Sequence, residues 1–204
     1  MDFSWEDSRL AFTDAAEWFL RTTELVGDRW SQPGLGEWDV RALVGHTSRS
    51  FLTVETYLDR PAATVEVASP GEYFRAARGA ASGPAVAARG REAGIALGSD
   101  PAAAVAEIAA LVLRLLGTRD GTELVTTIVG GMRLSDYLPT RTFELAVHTA
   151  DLAVALGEPL DVPPTAAAQA LQVVSDLAVA DGLAGRLLLT ATGRPNHATG
   201  FSVL

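Results

Sequence analysis

The sequence contains no cysteine and no lysine. Without cysteine the chain has no disulfide, no thiolate ligand for a metal and no thiol nucleophile of its own. All 16 basic residues are arginine. Together with the abundance of alanine, glycine and valine, this is the compositional mark of a high-GC genome, as in many actinobacteria. No apolar run approaches the ~20 residues needed to span a bilayer. The opening Met-Asp-Phe-Ser-Trp-Glu-Asp is acidic and lacks the basic start and apolar stretch of a secretory signal, so the cytoplasm is the expected location. Basic patches are missing as well. A net charge of −9 with scattered arginines argues against a nucleic-acid surface, and no membrane partner is expected.

What is present is apolar and helical. With 48% hydrophobic residues, 204 residues suffice for one domain with a substantial core. Three- and four-residue spacing of Leu10, Phe12, Ala15, Ala16, Phe19 and Leu25 predicts a helix over about 4–26. A turn-rich loop, Trp30 to Trp38, precedes Asp39, which can cap a second helix over about 40–58. Residues 60–83, punctuated by Pro61, Pro70, Gly79, Gly83 and Pro84, read as a loop with one or two short helices. A helix is predicted over 85–97, and Asp100-Pro101 restarts the chain into another over 101–116, so apolar that it is expected to be the most buried. Residues 122–134, β-branched and interrupted by Gly130-Gly131, read as a short hairpin. Ser135 or Asp136 should cap the next helix, which ends at Gly157, and another runs over roughly 163–181. The tail from Leu187 to Pro195 reads as a strand followed by an irregular end. The expected division is a helical bundle over 1–160, with 161–204 packing on the same domain.

Polar chemistry concentrates in one apolar helix. Glu144, His148 and Asp151 are spaced i, i+4, i+7 and share one face, flanked by Phe143, Leu145, Ala146, Val147, Leu152 and Val154. Three proton-active groups in such surroundings need compensation. A divalent metal supplies it, because imidazole and carboxylate both ligate such ions. His46, on the second helix, would complete two imidazoles and one carboxylate, the set of a catalytic zinc with an open position. Nickel, iron or manganese would suit the same donors. Blander readings stand beside this one. His46 can be a hydrogen-bonded core residue, Glu144 and His148 a helix-surface pair, and Asp151 the partner of an arginine. The third histidine, His197, lies in a turn-like tail and carries no assigned role.

Two segments point further. Trp30-x2-Pro33-x4-Trp38-Asp-Val-Arg-Ala-Leu-Val-Gly-His46 resembles the N-terminal signature of the mycothiol-dependent maleylpyruvate isomerase family, part of the DinB-like superfamily of four-helix bundles. Asp136-Tyr-Leu-Pro-Thr-Arg141-x2-Glu144-x3-His148-x2-Asp151-Leu resembles that family's second motif. The resemblance covers most of 5–157. Asp39 stands where relatives often carry threonine or serine, and Gly45 is unusual inside a helix. The region beyond 160 is short beside the larger C-terminal domain of some relatives.

The resemblance implies a mainly α, DinB-like bundle with minor β, and metal ligands His46, Glu144 and His148. Two imidazoles and one carboxylate favour zinc, with nickel as a second candidate, and the resemblance implies mycothiol as the thiol cofactor. In the family chemistry a thiolate adds to the cis double bond of maleylpyruvate, the resulting single bond rotates, and thiolate departure gives fumarylpyruvate. The missing cysteine agrees with an imported thiol. Asp151 would orient a ligand or accept a proton, and Arg141 would grip a substrate carboxylate or pair with Glu144 or Asp151. The expected function is a metal-dependent, thiol-using isomerase or thiol transferase acting on a small molecule, as a monomer or homodimer. The alternative is a non-catalytic bundle, with or without metal, serving binding or stress response.

Overall fold

Four helices begin at side-chain caps that the sequence supplies. Ser4 accepts from the Asp7 N–H, and Asp7 returns a bond to the Ser4 N–H, opening α1 (Trp5–Glu24). Asp39 accepts from the Ala42 N–H at 2.7 Å ahead of α2 (Val40–Leu58). A two-stranded ribbon, β1 (Pro33–Leu35) and β2 (Trp38–Asp39), leads into that cap. Ser69 caps α3 (Pro70–Ala77), and after α4 (Pro84–Ala96) Asp100 caps α5 (Pro101–Leu116). In both α3 and α5 a proline takes the first helical position, where its missing N–H leaves no bond unmade. The structure is a computed structural model describing residues 3–78, 84–194 and 201–203. His197 lies outside the described residues.

The second half begins with a hairpin, β3 (Leu124–Thr127) and β4 (Gly130–Arg133), in antiparallel register with Val125 opposite Met132. Ile128 and Val129 make its turn, so Gly130-Gly131 opens the second strand and is not the turn itself. Glycine is required there by crowding. A Cβ on Gly131 would lie 2.1 Å from the Thr64 carbonyl oxygen, and Gly130 has φ +122. The hairpin runs directly into α6 (Leu134–Leu156). Neither Ser135 nor Asp136 caps that helix, contrary to the sequence expectation. The Leu134 and Ser135 N–H groups instead donate to the carbonyls of Glu123 and Gly121, at 2.8 and 3.0 Å. Gly157, in left-handed conformation at φ 71, ends α6 as expected.

Helices α1 and α2 each pack against both α5 and α6, so the four close into a ring around one core. Phe12, Phe19 and Phe51 meet at its centre with ring centroids 5.7 and 6.2 Å apart. α7 (Pro164–Ala180) lies on α1 and α6, α3 on α6 and α7, α8 (Ala184–Ala191) on α7, and α4 on α2. The chain is thus mainly helical with minor β, as a DinB-like bundle requires.

Two expectations are corrected. The tail from Leu187 does not begin as a strand: residues 187–191 belong to α8, held by helical bonds such as Leu187 N–H to Leu183 O. Three consecutive leucines favour helix over strand. Nor is α5 the most buried helix. Its apolarity comes largely from alanine, with Ala103, Ala106 and Ala110 exposed, and Leu111 is 42% exposed. That place belongs to α6, buried from Tyr137 through Phe143 without a break.

Helices α2 and α4 cross with backbones touching. A Cβ on Gly45 would fall 2.1 Å from the Gly94 nitrogen, and one on Gly94 would fall 2.7 Å from the Arg41 carbonyl oxygen. The Arg41 Nε donates to the Gly94 carbonyl at 2.8 Å, stitching the contact. Gly45 is therefore the point of closest approach between two helices. Gly45→Ala should destabilise the fold by about 2 kcal/mol despite alanine's better helix propensity, because backbone has to move. For a domain of this size that lowers Tm by roughly 4–8 °C. Gly185→Ala, in α8 with nothing within 4 Å of the added carbon, should leave Tm unchanged or raised. Thermal melts of the two variants check the pair.

Candidate metal centre

Asp39 fixes the start of α2 and thereby the rotation of that helix, and the Gly45–Gly94 contact fixes its distance from α4. His46 follows directly and faces α6. From α6 come Glu144 and His148 on adjoining turns. His46 Nε2 stands 3.9 Å, and His148 Nε2 3.3 Å, from Glu144 Oε2. One donor atom from each of the three residues falls within 4.8 Å of the others. Donors around a tetrahedral zinc with bonds of ~2.0–2.2 Å are roughly 3.3–3.5 Å apart. The His148–Glu144 spacing already meets that, and His46 stands about 0.5 Å beyond it from Glu144. The donor chemistry fits a borderline divalent ion: two imidazoles, one carboxylate, no thiolate.

The three side chains are 17–23% exposed, so they are sheltered yet reachable. They form one wall of a cavity of about 730 Å³. Ser50 and Thr53 of α2, Tyr73 and Phe74 of α3, and Ile128 at the hairpin turn contribute other walls. The hairpin thus reaches the site.

Asp151 Oδ2 is 3.0 Å from His148 Nδ1. Once the ring gives up its other proton, an Nδ1–H donated there leaves Nε2 with the lone pair that a metal would take. Arg141 lines the cavity one turn before Glu144. Its guanidinium lies 5.3 Å from the Tyr73 ring centroid and 5.1 Å from that of Tyr137, and its Nε donates to the Thr140 hydroxyl at 3.0 Å. Arg141 is 8% exposed and, among the described residues, makes no ion pair. The expected pairing with Glu144 or Asp151 is absent. What remains is a buried, solvent-poor cation aimed at an open cavity.

The electrostatics follow from burial and pairing. Burial and the neighbouring His148 charge push His46 down to about 4, so it is neutral at pH 7. Burial alone would raise Glu144, yet the His148 hydrogen bond and the Arg141 charge outweigh it and hold the carboxyl at about 2. For His148, burial opposes the charge, but the bonds to Asp151 and Glu144 prevail and carry it up to about 9. Burial likewise opposes the Arg141 charge, and Tyr137, Tyr73 and Glu144 overcome it. Without a metal the wall therefore holds one carboxylate, one imidazolium and one neutral imidazole.

Several neighbours escape sequence reasoning. Arg49 sits i+3 from His46, lines the cavity and makes no ion pair among the described residues; helical spacing alone points to it. Tyr57 shows no such signal, and Tyr73 arrives on α3 from a segment that reads only as irregular. Trp38 reads as a motif marker, although its ring lies against that of His46 with centroids 4.5 Å apart.

Among the described residues, no single helix is long and apolar enough to cross a membrane. No curated protein and no solved structure is significantly similar to the chain. A family model does match it: the mycothiol maleylpyruvate isomerase N-terminal domain, over residues 12–153. That span takes in both motifs, His46 and the whole Arg141–Asp151 face. The chain belongs to the mycothiol maleylpyruvate isomerase N-terminal domain family.

Proposed function

We propose that the protein is a metal-dependent, thiol-using isomerase or thiol transferase of the maleylpyruvate isomerase type, acting in the cytoplasm on a small carboxylate. The observation that carries this is the convergence of His46, Glu144 and His148, from two helices remote in sequence, on the wall of one substrate-sized cavity. These three residues would hold the divalent ion, zinc first and nickel second. The bound metal would supply acidification of an incoming small thiol, mycothiol by family membership, so that it reacts as thiolate.

The chain's own groups do the rest. Asp151 holds His148 in the tautomer and orientation that present Nε2 to the cavity. Arg141 receives a substrate carboxylate, gaining the direct ion pair that it does not make with Glu144. Its stacking between Tyr73 and Tyr137 restricts the guanidinium before the substrate arrives, which lowers the ordering cost of binding. The apolar walls around Phe74 and Ile128 limit water near the reacting carbon.

Metal analysis tests the foundation. Gently purified protein should carry about one equivalent of divalent metal, and His46→Ala should lose it with helical circular dichroism unchanged. Less than about 0.1 equivalent, with no uptake of added zinc or nickel, would overturn the reading. Because His148 is protonated up to about pH 9 in the free site, metal entry must expel that proton. His46 is already neutral above about pH 4 and Glu144 already ionised, so one proton leaves per metal. The zinc Kd should therefore fall about tenfold per pH unit between about pH 5 and 8. Calorimetry in buffers of different ionisation enthalpy reads the same proton directly.

Arg141→Met should leave metal content intact and lower kcat/KM for thiol-dependent isomerisation of a cis-unsaturated 2-oxo acid by about 100-fold, the loss of a charge-assisted contact. An unchanged kcat/KM would remove Arg141 from the substrate site.

A further inference from the structure

Metal-binding histidines ordinarily donate their second ring N–H to a carboxylate, a carbonyl or water, and that bond fixes the ring plane. His148 obeys through Asp151. His46 does not: its Nδ1 is buried, and no group among the described residues is placed to bond it. Another constraint has to hold the ring.

Trp38 provides one. Its ring lies 4.5 Å from His46, centroid to centroid, at an interplanar angle of 32°, a close tilted contact between the two rings. Its edge also meets His148, at 6.4 Å and 71°. The indole is itself tightly held. Its Nε1–H donates to the Ala87 carbonyl at 3.0 Å, in the first turn of α4. Gly90, one turn further along α4, packs against the indole, and a Cβ there would fall 2.6 Å from the indole Cε2 and Nε1. The hydrogen bond to Ala87 and the close contact with Gly90 hold the indole beside the imidazole.

The geometry points to Trp38 as a positioning residue for the metal ligand His46, with α4 as its anchor through Ala87 and Gly90. The inference rests on the metal reading above and deepens it. The ring contact sets the His46 ring plane in place of the absent hydrogen bond, and His46 is the donor that stands farther from Glu144. A displacement of α4 would reach the metal through the indole.

The test compares wild type with Trp38→Leu, Trp38→Phe and Gly90→Ala by three readouts: zinc affinity by chelator competition, the visible spectrum of the cobalt-substituted protein, and the melting temperature without metal. Trp38→Leu should weaken zinc about 10–100-fold, the usual consequence of removing a ligand's orienting partner. Gly90→Ala retains the indole but must displace it from its seat beside His46, so it should weaken zinc and change the cobalt spectrum as well. Trp38→Phe keeps an aromatic face and should recover most of the affinity lost in Trp38→Leu. A merely structural role would lower the metal-free melting temperature and leave the spectrum of the folded fraction as in wild type. Wild-type affinity and spectrum in both Trp38→Leu and Gly90→Ala, in protein that binds zinc normally, would overturn the inference alone. Failure of Trp38→Leu to fold leaves Gly90→Ala to decide. A wild-type chain that takes up no metal overturns this inference together with the function it rests on.

Discussion

Burying ionised side chains in an apolar bundle is the constraint on which the arrangement depends. Arg141, Glu144 and His148 project from α6, the most buried helix, and each would be costly alone. The structure answers each separately. Tyrosine faces and the Thr140 hydroxyl receive the guanidinium, His148 satisfies Glu144, and Asp151 satisfies His148. His46 avoids the problem by staying neutral. The answers interlock along one helix face, so loss of one member changes the protonation of the next. That coupling also makes the wall receptive to a dication, which would replace the imidazolium proton as partner to the carboxylate.

Packing enforces the electrostatics. The ring of α1, α5, α2 and α6 holds His46 opposite Glu144, and the glycine contact between α2 and α4 brings the indole of Trp38 beside the imidazole. Gly45, unhelpful to an isolated helix, is what permits this approach. Local propensity is given up at the site's border, where close contact matters more.

How much of this was legible depended on whether the signal was local. Asp39, Asp100-Pro101 and Gly157 announce helix ends by their own chemistry, and those ends occur where expected. His46, Glu144 and His148 were legible as a group because two of them share a helix face and the third lies in a motif; the fold brings their donor atoms together. The start of α6 was not legible, since its orphan N–H groups bond carbonyls of Gly121 and Glu123, a relation made by tertiary structure. Tyr73 was hidden for the same reason. The alanine-rich α5 misled through composition, because small apolar side chains are tolerated at the surface and do not report burial. Arg141 fell between the cases: its helix face was readable, but its direction depends on tyrosines from other segments.

Arg141 and Glu144 stand three residues apart on an unbroken helix, and α-helical rise is about 1.5 Å per residue. Their attachment points are therefore separated by about 4.5 Å along the axis, a distance the helix cannot alter without breaking its own hydrogen bonds. The wall behaves as a ruler. A ligand engaging both the guanidinium and the centre beside Glu144 has its carboxylate and its reacting atom held at a spacing set by backbone geometry, while any remaining bulk must extend into the wider cavity. If the proposed function holds, selectivity for the length of the anionic arm would be built into secondary structure, and selectivity for the rest of the molecule left to the walls.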